Sequence, residues 1–428
     1  MGIEERAEAA LSAMARLDSD LHFVAEPWPD RARMLARAIA AQPAAERGPL
    51  AGVPFMIKDG TGPETPIVQR LIAAGAVPIG TTTRPDPRVD SQTWGWNGHD
   101  HTRNPWSLDR SSGGSSAGSA VAVAAGVVPF ATGGDSAGSL RIPAAFCGVV
   151  GFKPTVGRIP RTGGRSLAQL TCAGVIGATV DDVATAVQVA SGSHPLDPTA
   201  LPAWRPAVPP APAAQPTPIP EPVEGHGPSY PGPPVGAARV AQSSAGRGAE
   251  GVPPTGRPLR VAYSAALGFA ATDPALAAMV RSRVQTPVDR GELDLVDRPV
   301  RLTDPKDAWH TLYALDRGDE VDHGDLRSAL AYRKGLERTL SDLFAGVDAL
   351  ITPTTPQTAF PYRDYRDHVA CDLCWAFNVS GHPAISVPVG LLDGLPVGAQ
   401  VIAAPHRDDL AIRVARLIAV TLPAPPVS

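Results

Sequence analysis

Residues 110–143 read RSSGGSSAGSAVAVAAGVVPFATGGDSAGSLRIP, in which two turns rich in glycine and serine surround two apolar stretches. We interpret the apolar stretches, Ala120–Ala125 and Val127–Ala131, as strands, so the two turns do not belong to a flexible polar linker. Small residues allow backbone N–H groups to approach a ligand closely, and successive amides form a cradle for negative charge. The stretch therefore predicts a ligand site built from two turns.

Short periodic segments on both sides predict an α/β architecture. Gly52–Lys58 is a predicted strand, Pro66–Gly75 is a predicted helix ended by Gly75, and Ala76–Gly80 is the next strand. This order of strand, helix and strand favours a parallel sheet. Further helices are predicted within residues 1–50, at 180–190 and at 273–284, and further strands at 259–263, 293–300, 346–352, 384–388 and 397–402.

The chain has 428 residues, of which 43% are apolar, enough for a substantial core. Residues 195–258 contain 18 prolines in 64 residues and little apolar periodicity. Such a stretch cannot bury enough surface to offset the entropy of ordering it. The sequence predicts one α/β domain built from residues 1–202 and 259–428, interrupted by a Pro-rich, disordered insertion at 203–258; a polyproline ligand for a partner is the alternative role of that insertion.

The charge pattern argues against several classes of partner. The net charge of −4 offers no electrostatic attraction to nucleic acid or to an anionic membrane. The most apolar run, 117–131, is too short to span a bilayer, and the charged amphipathic N-terminus does not resemble a signal peptide. We expect a cytoplasmic protein that binds neither nucleic acid nor membrane.

Metal-binding patterns are incomplete. Cys371 and Cys374 form a C-x-x-C motif without the second pair that a structural zinc site needs, and Cys147 and Cys172 have no local partner. Buried thiols are the favoured interpretation, and a zinc or redox site is the alternative. The segment 99–101 (His-Asp-His) is interpreted as a surface loop. No metal and no organic cofactor are expected.

The glycine-rich turns have two other interpretations. No G-x-x-x-x-G-K-[ST] motif occurs, which argues against a nucleotide site. Residues 114–118 and 134–138 both match G-x-S-x-G, the nucleophile elbow of α/β-hydrolases, which would make Ser116 or Ser136 the nucleophile. That chemistry needs a downstream histidine, and the candidates are His368, His382 and His406. The upstream HGGG-type segment of those enzymes is absent, and five-residue matches are common in a sequence this rich in Gly and Ser.

The stretch from Arg103 to Arg161 resembles the signature region of the amidase-signature family. The matching segments are RNPWSLDRSSGGSSAGSAVAVAAG at 103–126 and GGDSAGSLRIPAAFCGVVGFKPTVGRIPR at 133–161. GPLAGVPFMIKD at 48–59 resembles that family's lysine strand, and NVSGHPAISVP at 378–388 and DGLPVG at 393–398 resemble its closing segment. The resemblance covers most of the chain outside 203–258 and implies one large domain in which helices cover a twisted mixed sheet.

The resemblance also implies the functional residues. The family's lysine matches Lys58, the serine that follows a cis peptide bond matches Ser115, and the acylating serine matches Ser139, 24 positions later. The amides that would hold the oxyanion belong to Ser136, Ala137, Gly138 and Ser139. Supporting roles fall to Asp135, Arg141 and Ser116; a surface ion pair is the alternative for Asp135 and Arg141.

This chemistry requires an uncharged lysine. A serine hydroxyl becomes a good nucleophile when a base accepts its proton, and lysine accepts one only when neutral. Lowering its pKa from about 10.4 to about 7 takes ~4.6 kcal/mol, which burial can supply. Lys58 follows the apolar run Val53–Ile57, so burial is expected. Ser115 would carry the proton between Lys58 and Ser139.

The implied function is hydrolysis of a carboxylic amide, or an ester, through an acyl-enzyme on Ser139. The chain departs from the family's pattern at Ala117 and Ala137, where glycine is usual, at Thr81–Thr83, and in a shortened segment between Lys58 and Thr65. Open alternatives are an amidotransferase component that supplies ammonia to a partner and a catalytically impaired scaffold. The expected partners are a small-molecule amide and, as an open possibility, a second copy of the chain in a homodimer.

Overall fold

The computed structural model describes residues 1–86, 93–162, 168–204 and 257–427. The strands in these ranges are β1 (Val24–Pro27), β2 (Pro54–Lys58), β3 (Val77–Thr82), β4 (Arg103–Asn104), β5 (Ser107–Ser111), β6 (Phe130–Asp135), β7 (Val150–Lys153), β8 (Cys172–Gly177), β9 (Leu259–Tyr263), β10 (Leu293–Leu295), β11 (Ala349–Pro353), β12 (Ala384–Leu392) and β13 (Leu395–Ile402). The α-helices are α1 (Ile3–Leu21), α2 (Pro29–Ala40), α3 (Pro66–Ala73), α4 (Ala117–Ala124), α5 (Arg141–Cys147), α6 (Val180–Ala190), α7 (Pro274–Asp289), α8 (Lys306–Arg317), α9 (His323–Phe344), α10 (Ala376–Val379) and α11 (Asp408–Ile418).

Eleven of these strands form one mixed sheet in the described part of the chain. Their order is β1-β3-β2-β6-β8-β7-β12-β13-β11-β9-β10. β2 pairs in parallel with β3 and with β6, as the order of strand, helix and strand predicts, whereas β8 is antiparallel to both β6 and β7. The pairing of β7 with β12 joins the N-terminal and C-terminal parts of the chain in a single sheet. The predicted α/β fold with a mixed sheet is confirmed.

Helices cover both faces of this sheet, because side chains along a strand alternate between its faces. Phe55 and Ile57 pack into one apolar layer with α3, α6, α7 and α11. Met56, between them, packs into the opposite layer with α1, α2, α4 and α5. The helices in the described ranges are each too short or too polar to traverse a lipid bilayer.

Three strands of the sheet have their C-terminal ends at the same edge, the one that carries the carboxyl ends of parallel strands. β2, β6 and β7 run in the same direction, so Lys58, Asp135 and Lys153 all lie where their strands leave the sheet. The two glycine-rich turns connect β5 to α4 and β6 to α5 beside this edge. Parallel α/β sheets present their ligand sites at such carboxyl ends.

Some element predictions need correction. Ala120–Ala125, interpreted as a strand, lies mostly in helix α4, because its small side chains let a buried helix pack closely on the sheet. β10 covers Leu293–Leu295 and does not extend to 300. Gly75 has φ of 92°, as its predicted role at a helix end requires. Of the predicted insertion at 203–258, residues 205–256 lie outside the described residues, so its disorder stays a prediction.

Candidate active site

Lys58 and Ser115 are in direct contact. Lys58 is the last residue of β2 and is 9% exposed, and its backbone N–H donates to Thr132 Oγ1 at 3.1 Å. Its Nζ lies 2.8 Å from Ser115 Oγ. The Gly114–Ser115 peptide bond is cis, as the family resemblance implies. The lysine and the first serine therefore form a hydrogen-bonded pair at the edge of the sheet.

The surroundings of Lys58 favour its uncharged form. Burial lowers the pKa of Lys58 from 10.5 to about 7. The negative charges of Asp135 and Asp59 oppose this shift in the pKa, and the positive charge of Arg84 adds to it. The surroundings of Lys58 therefore bring its pKa into the neutral range, and its uncharged amine can accept a proton.

Ser139 lies in the second turn, next to the first. The backbone N–H of Ser116 donates to the carbonyl of Ser139 at 3.2 Å, so the residue after Ser115 touches the Ser139 backbone. Gly138 adopts φ of 116°, and a Cβ there would lie 2.7 Å from Ile142 Cδ1. Glycine is therefore required immediately before Ser139. The structure brings Lys58, Ser115 and Ser139 together at one place.

A buried ion pair supports the Ser139 turn from beneath. Asp135 and Arg141 are both fully buried, and the two guanidinium nitrogens Nη2 and Nε lie 2.8 and 2.9 Å from the carboxylate. Arg141 also donates to the Cys374 carbonyl, Gln400 Oε1 and Asn378 Oδ1. The same carboxylate accepts the backbone N–H groups of Gly138 and Leu140. This network fixes the backbone on both sides of Ser139.

The charge states of the pair follow from these contacts. Burial raises the pKa of Asp135, but the adjacent Arg141 charge and the hydrogen bonds from Arg141 and Asn378 outweigh it and hold that pKa well below its usual range. Burial lowers the pKa of Arg141, and Asp135 more than restores it. Both groups stay charged at neutral pH. The alternative that they form a surface ion pair is wrong.

One of the amides predicted to face an oxyanion is already occupied. The N–H of Gly138 donates to Asp135 Oδ1 at 2.7 Å, so it is not directed at a substrate. Ala137 does not have a positive φ, and its N–H has no partner among the described residues. Alanine in place of the family's usual glycine is thus compatible with this backbone, and the Gly138 assignment is corrected.

In the described part of the chain, no hydrogen bond joins Ser116 Oγ or Ser136 Oγ to a candidate histidine of the nucleophile-elbow alternative. Ser136 Oγ pairs with Thr171 Oγ1 at 2.8 Å, and Ser116 Oγ donates to the Gly134 carbonyl. The rings of two candidate histidines are engaged elsewhere: His382 contacts Ser380 and stacks on Phe344, and His368 stacks on Phe360. The third, His406, is exposed, and its backbone N–H donates to Thr155 Oγ1. The contacts of Ser116 and Ser136 support the turns.

Several residues at this site were not identified from the sequence. Asn378 and Gln400 contact Arg141, and both lie in or just after the C-terminal segments that resemble the family, which was the available signal. Trp309, on α8, donates from Nε1 to the Ser136 carbonyl at 2.7 Å. No motif marks Trp309, because α8 reaches the turn only through tertiary packing.

Three of the cysteines and His101 of the His-Asp-His segment are buried. The thiols of Cys147, Cys172 and Cys374 are buried and free, and burial raises the pKa of Cys374 to about 12. His101 is buried against Tyr362, with ring centroids 3.5 Å apart, so the surface-loop interpretation is wrong for this residue. Within the described ranges, no three His, Cys, Asp or Glu side chains are grouped so that they could hold a metal ion.

A cavity of about 290 Å³ has a wall residue that contacts the Ser139 turn. Its wall includes Thr171, the partner of Ser136, together with Arg161 and Gln169. Cys172 and Ala173 of β8 also line it, and they pair with Asp135 and Gly134 across the sheet. The cavity is therefore connected to the Ser139 turn through Thr171, and its walls include none of Lys58, Ser115 and Ser139.

Comparisons with known proteins identify the family of this chain. A family model described as Amidase matches residues 63–218 and 307–412. The chain is 31% identical to a 6-aminohexanoate-cyclic-dimer hydrolase of Paenarthrobacter ureafaciens, over 98% of this chain and 91% of that protein. It is 33% identical to a glutamyl-tRNA(Gln) amidotransferase subunit of Symbiobacterium thermophilum, over 96% of this chain and 92% of that protein.

Solved structures give the same result. A 6-aminohexanoate cyclic dimer hydrolase complexed with substrate matches with a TM-score of 0.77 and 25% identity, over 100% of this chain and 96% of that chain. A bacterial aryl acylamidase has the same fold, with a TM-score of 0.75 at 21% identity over 98% and 92% of the two chains. With the signature segments, the mixed sheet and these matches in agreement, the chain belongs to the amidase-signature family of hydrolases.

Proposed function

We propose that this protein hydrolyses a carboxylic amide, or an ester, through an acyl-enzyme on Ser139. Ser115 carries the proton, and Lys58 is the base. The observation that carries the proposal is the 2.8 Å contact between Ser115 Oγ and a buried Lys58 whose pKa is about 7. A neutral amine at that position can accept the proton that makes a serine hydroxyl nucleophilic.

In the first half of the reaction, Ser115 gives its proton to Lys58 and takes the proton of Ser139. Ser139 Oγ then bonds to the carbonyl carbon, and the oxyanion receives hydrogen bonds from turn amides, among them that of Ala137. The proton returns through Ser115 to the leaving nitrogen. The C–N bond breaks, and ammonia or an amine departs.

In the second half, a water molecule attacks the acyl carbon. Its proton passes through Ser115 to Lys58, and the new tetrahedral intermediate collapses with cleavage of the bond to Ser139 Oγ. Ser139 recovers its proton from the same relay, and the carboxylic acid leaves.

The proposal is tested by covalent labelling and by turnover. A fluorophosphonate is expected to add one phosphonyl group per chain, and peptide mass mapping is expected to find it on Ser139. Wild-type protein is also expected to release ammonia from at least one member of a panel of linear primary amides that includes benzamide, propionamide and glutamine. Absence of both labelling and turnover would contradict the proposal and favour the impaired scaffold.

A second candidate function rests on the similarity to the glutamyl-tRNA(Gln) amidotransferase component. A protein of that kind would use the same three residues to release ammonia for a partner. This candidate predicts stable co-purification of a second protein, with glutamine hydrolysis that this partner stimulates. Full amide turnover by the isolated chain, without preference for glutamine, would exclude it.

The pH dependence follows from Lys58. Since the protonated amine cannot accept a proton, kcat/KM is expected to be constant well above pH 7 and to fall about tenfold per pH unit well below it. The apparent pKa should be about 7, the value for Lys58. Burial lowers the pKa of His382 to about 3, so that histidine does not account for such an acid limb.

Lys58→Ala and Ser115→Ala are each expected to lower kcat at least ~100-fold, because each removes a group that carries the proton.

Neighbouring charges provide controls for this assignment. Arg84 lowers the pKa of Lys58, so Arg84→Met is expected to move the acid limb to higher pH. Asp59 raises that pKa, so Asp59→Asn is expected to move the limb to lower pH. Initial rates at constant ionic strength measure both shifts. A limb that stays in place in both variants would show that another group titrates.

A further inference from the structure

Trp309 lies against the turn that precedes Ser139. It belongs to α8 and is half-buried, and its indole Nε1 donates to the Ser136 carbonyl at 2.7 Å. Its ring stacks on Tyr313, with centroids 4.6 Å apart and an interplanar angle of 15°. The ring centroid of Trp375 lies 6.2 Å from that of Trp309, with an interplanar angle of 37°. The indole is therefore held in one orientation by packing.

The hydrogen bond of Trp309 fixes the direction of the next amide. The Ser136–Ala137 peptide is trans, since the cis bond in this region is Gly114–Ser115. In a planar trans peptide the C=O and the N–H point in opposite directions. Trp309 occupies the carbonyl side, so the Ala137 N–H points away from the indole.

Two of the other amides of the turn have fixed partners. Gly138 and Leu140 donate their N–H groups to Asp135. The Ala137 N–H has no partner among the described residues. The side chain of Ser136 is tied to Thr171. Three neighbouring groups are thus fixed, while the amide opposite the indole is left free.

We propose that Trp309 is a positioning residue for the oxyanion site: its indole N–H holds the Ser136–Ala137 peptide so that the Ala137 N–H faces the developing oxyanion. A hydrogen bond to the carbonyl also polarises the peptide and strengthens its N–H as a donor. This inference rests on the proposed amide hydrolysis through Ser139. The inference implies that α8, a helix outside the segments that resemble the family signature, also contributes to the rate of amide hydrolysis.

The test is Trp309→Phe, which keeps an aromatic ring and removes the N–H. Deleting an oxyanion donor outright costs about 10²–10³-fold in kcat, so loss of its orientation is expected to cost about 10-fold. KM is expected to change less than about twofold. The inhibition constant of a trifluoromethyl ketone, which forms a tetrahedral oxyanion on the serine, is expected to weaken by the same factor as kcat/KM. Inhibition by the product carboxylate should not change.

Trp106→Phe is the matched control. The Trp106 indole also donates to a backbone carbonyl, that of Cys147, at 2.8 Å, and the residue is half-buried. It is expected to keep wild-type kcat, because its carbonyl partner is not in the Ser139 turn. If Trp309→Phe fails to fold, benzothienylalanine incorporated at position 309 keeps the shape of the indole without the N–H donor.

Each outcome separates the two ideas. Wild-type turnover with unchanged kcat and unchanged ketone inhibition in the 309 variant would overturn the role of Trp309 and leave the proposed function intact. A change confined to KM would also overturn it, because that result indicates a substrate contact. A wild-type protein that neither turns over amides nor reacts with fluorophosphonate would overturn both.

Discussion

Ser139→Ala is expected to lower kcat for amide hydrolysis by at least about 10⁴-fold, because loss of the nucleophile leaves only binding and the oxyanion site to act on the substrate. The fold should be unaffected, since the contact of Ser139 with Ser116 uses the backbone carbonyl, which alanine keeps. Steady-state ammonia release, combined with a thermal melt of both proteins, measures the two effects.

Ser136→Ala is the matched control for that experiment. Both serines lie in the same turn, but Ser136 Oγ pairs with Thr171 and takes no part in the proposed proton path. Its removal is expected to change kcat less than about fivefold. If Ser136→Ala abolished turnover while Ser139→Ala retained it, the nucleophile-elbow mechanism would replace the one proposed here.

Arg141→Met is expected to have the largest effect on stability. It leaves the Asp135 carboxylate buried without its cation, and breaking one side of a buried pair costs about 3–5 kcal/mol. The hydrogen bonds from Arg141 to Cys374, Gln400 and Asn378 are lost with it. Denaturant titration measures the loss of unfolding free energy. The protein that remains folded should also have a lower kcat, because Asp135 holds the Ser139 turn.

A second buried pair separates these two effects. Arg158 and Asp408 are also buried, 2.9 Å apart, but Asp408 lies at the start of α11. Arg158→Met is therefore expected to lose a similar amount of stability and to keep kcat per folded molecule. Equal losses of kcat in the two variants would show that the Arg141 network has no specific role at the turn.

The sequence indicated this site because its main parts are encoded locally. Lys58, Ser115 and Ser139 each lie in a short segment whose composition and spacing match a family pattern, and the apolar run before Lys58 was enough to predict its burial. Ala120–Ala125 was misassigned because a buried helix of small residues has no polar face that would reveal its period. Length and composition alone do not decide between strand and helix there.

What the sequence could not give was long-range packing and the use of individual N–H groups. Trp309 is distant in the chain from Ser136, and its partner is a backbone carbonyl, which no side-chain pattern encodes. From the sequence, the amide of Gly138 is as good a candidate to bind the oxyanion as the amides of its neighbours. In the structure, its N–H donates to the Asp135 carboxylate, and the position of that carboxylate depends on Arg141 and Asn378.

Arg141, in the N-terminal part of the chain, hydrogen-bonds residues of the C-terminal part, and this has a consequence for synthesis on the ribosome. By the time residue 202 has been made, the nascent polypeptide already includes Lys58, Ser115 and Ser139. Asn378 and Gln400, which accept hydrogen bonds from the Arg141 guanidinium, are translated much later. An emerging chain thus contains the three residues of the proposed proton path before Asn378 and Gln400 can contact Arg141, so we expect the proposed hydrolysis only after residue 400 has been made.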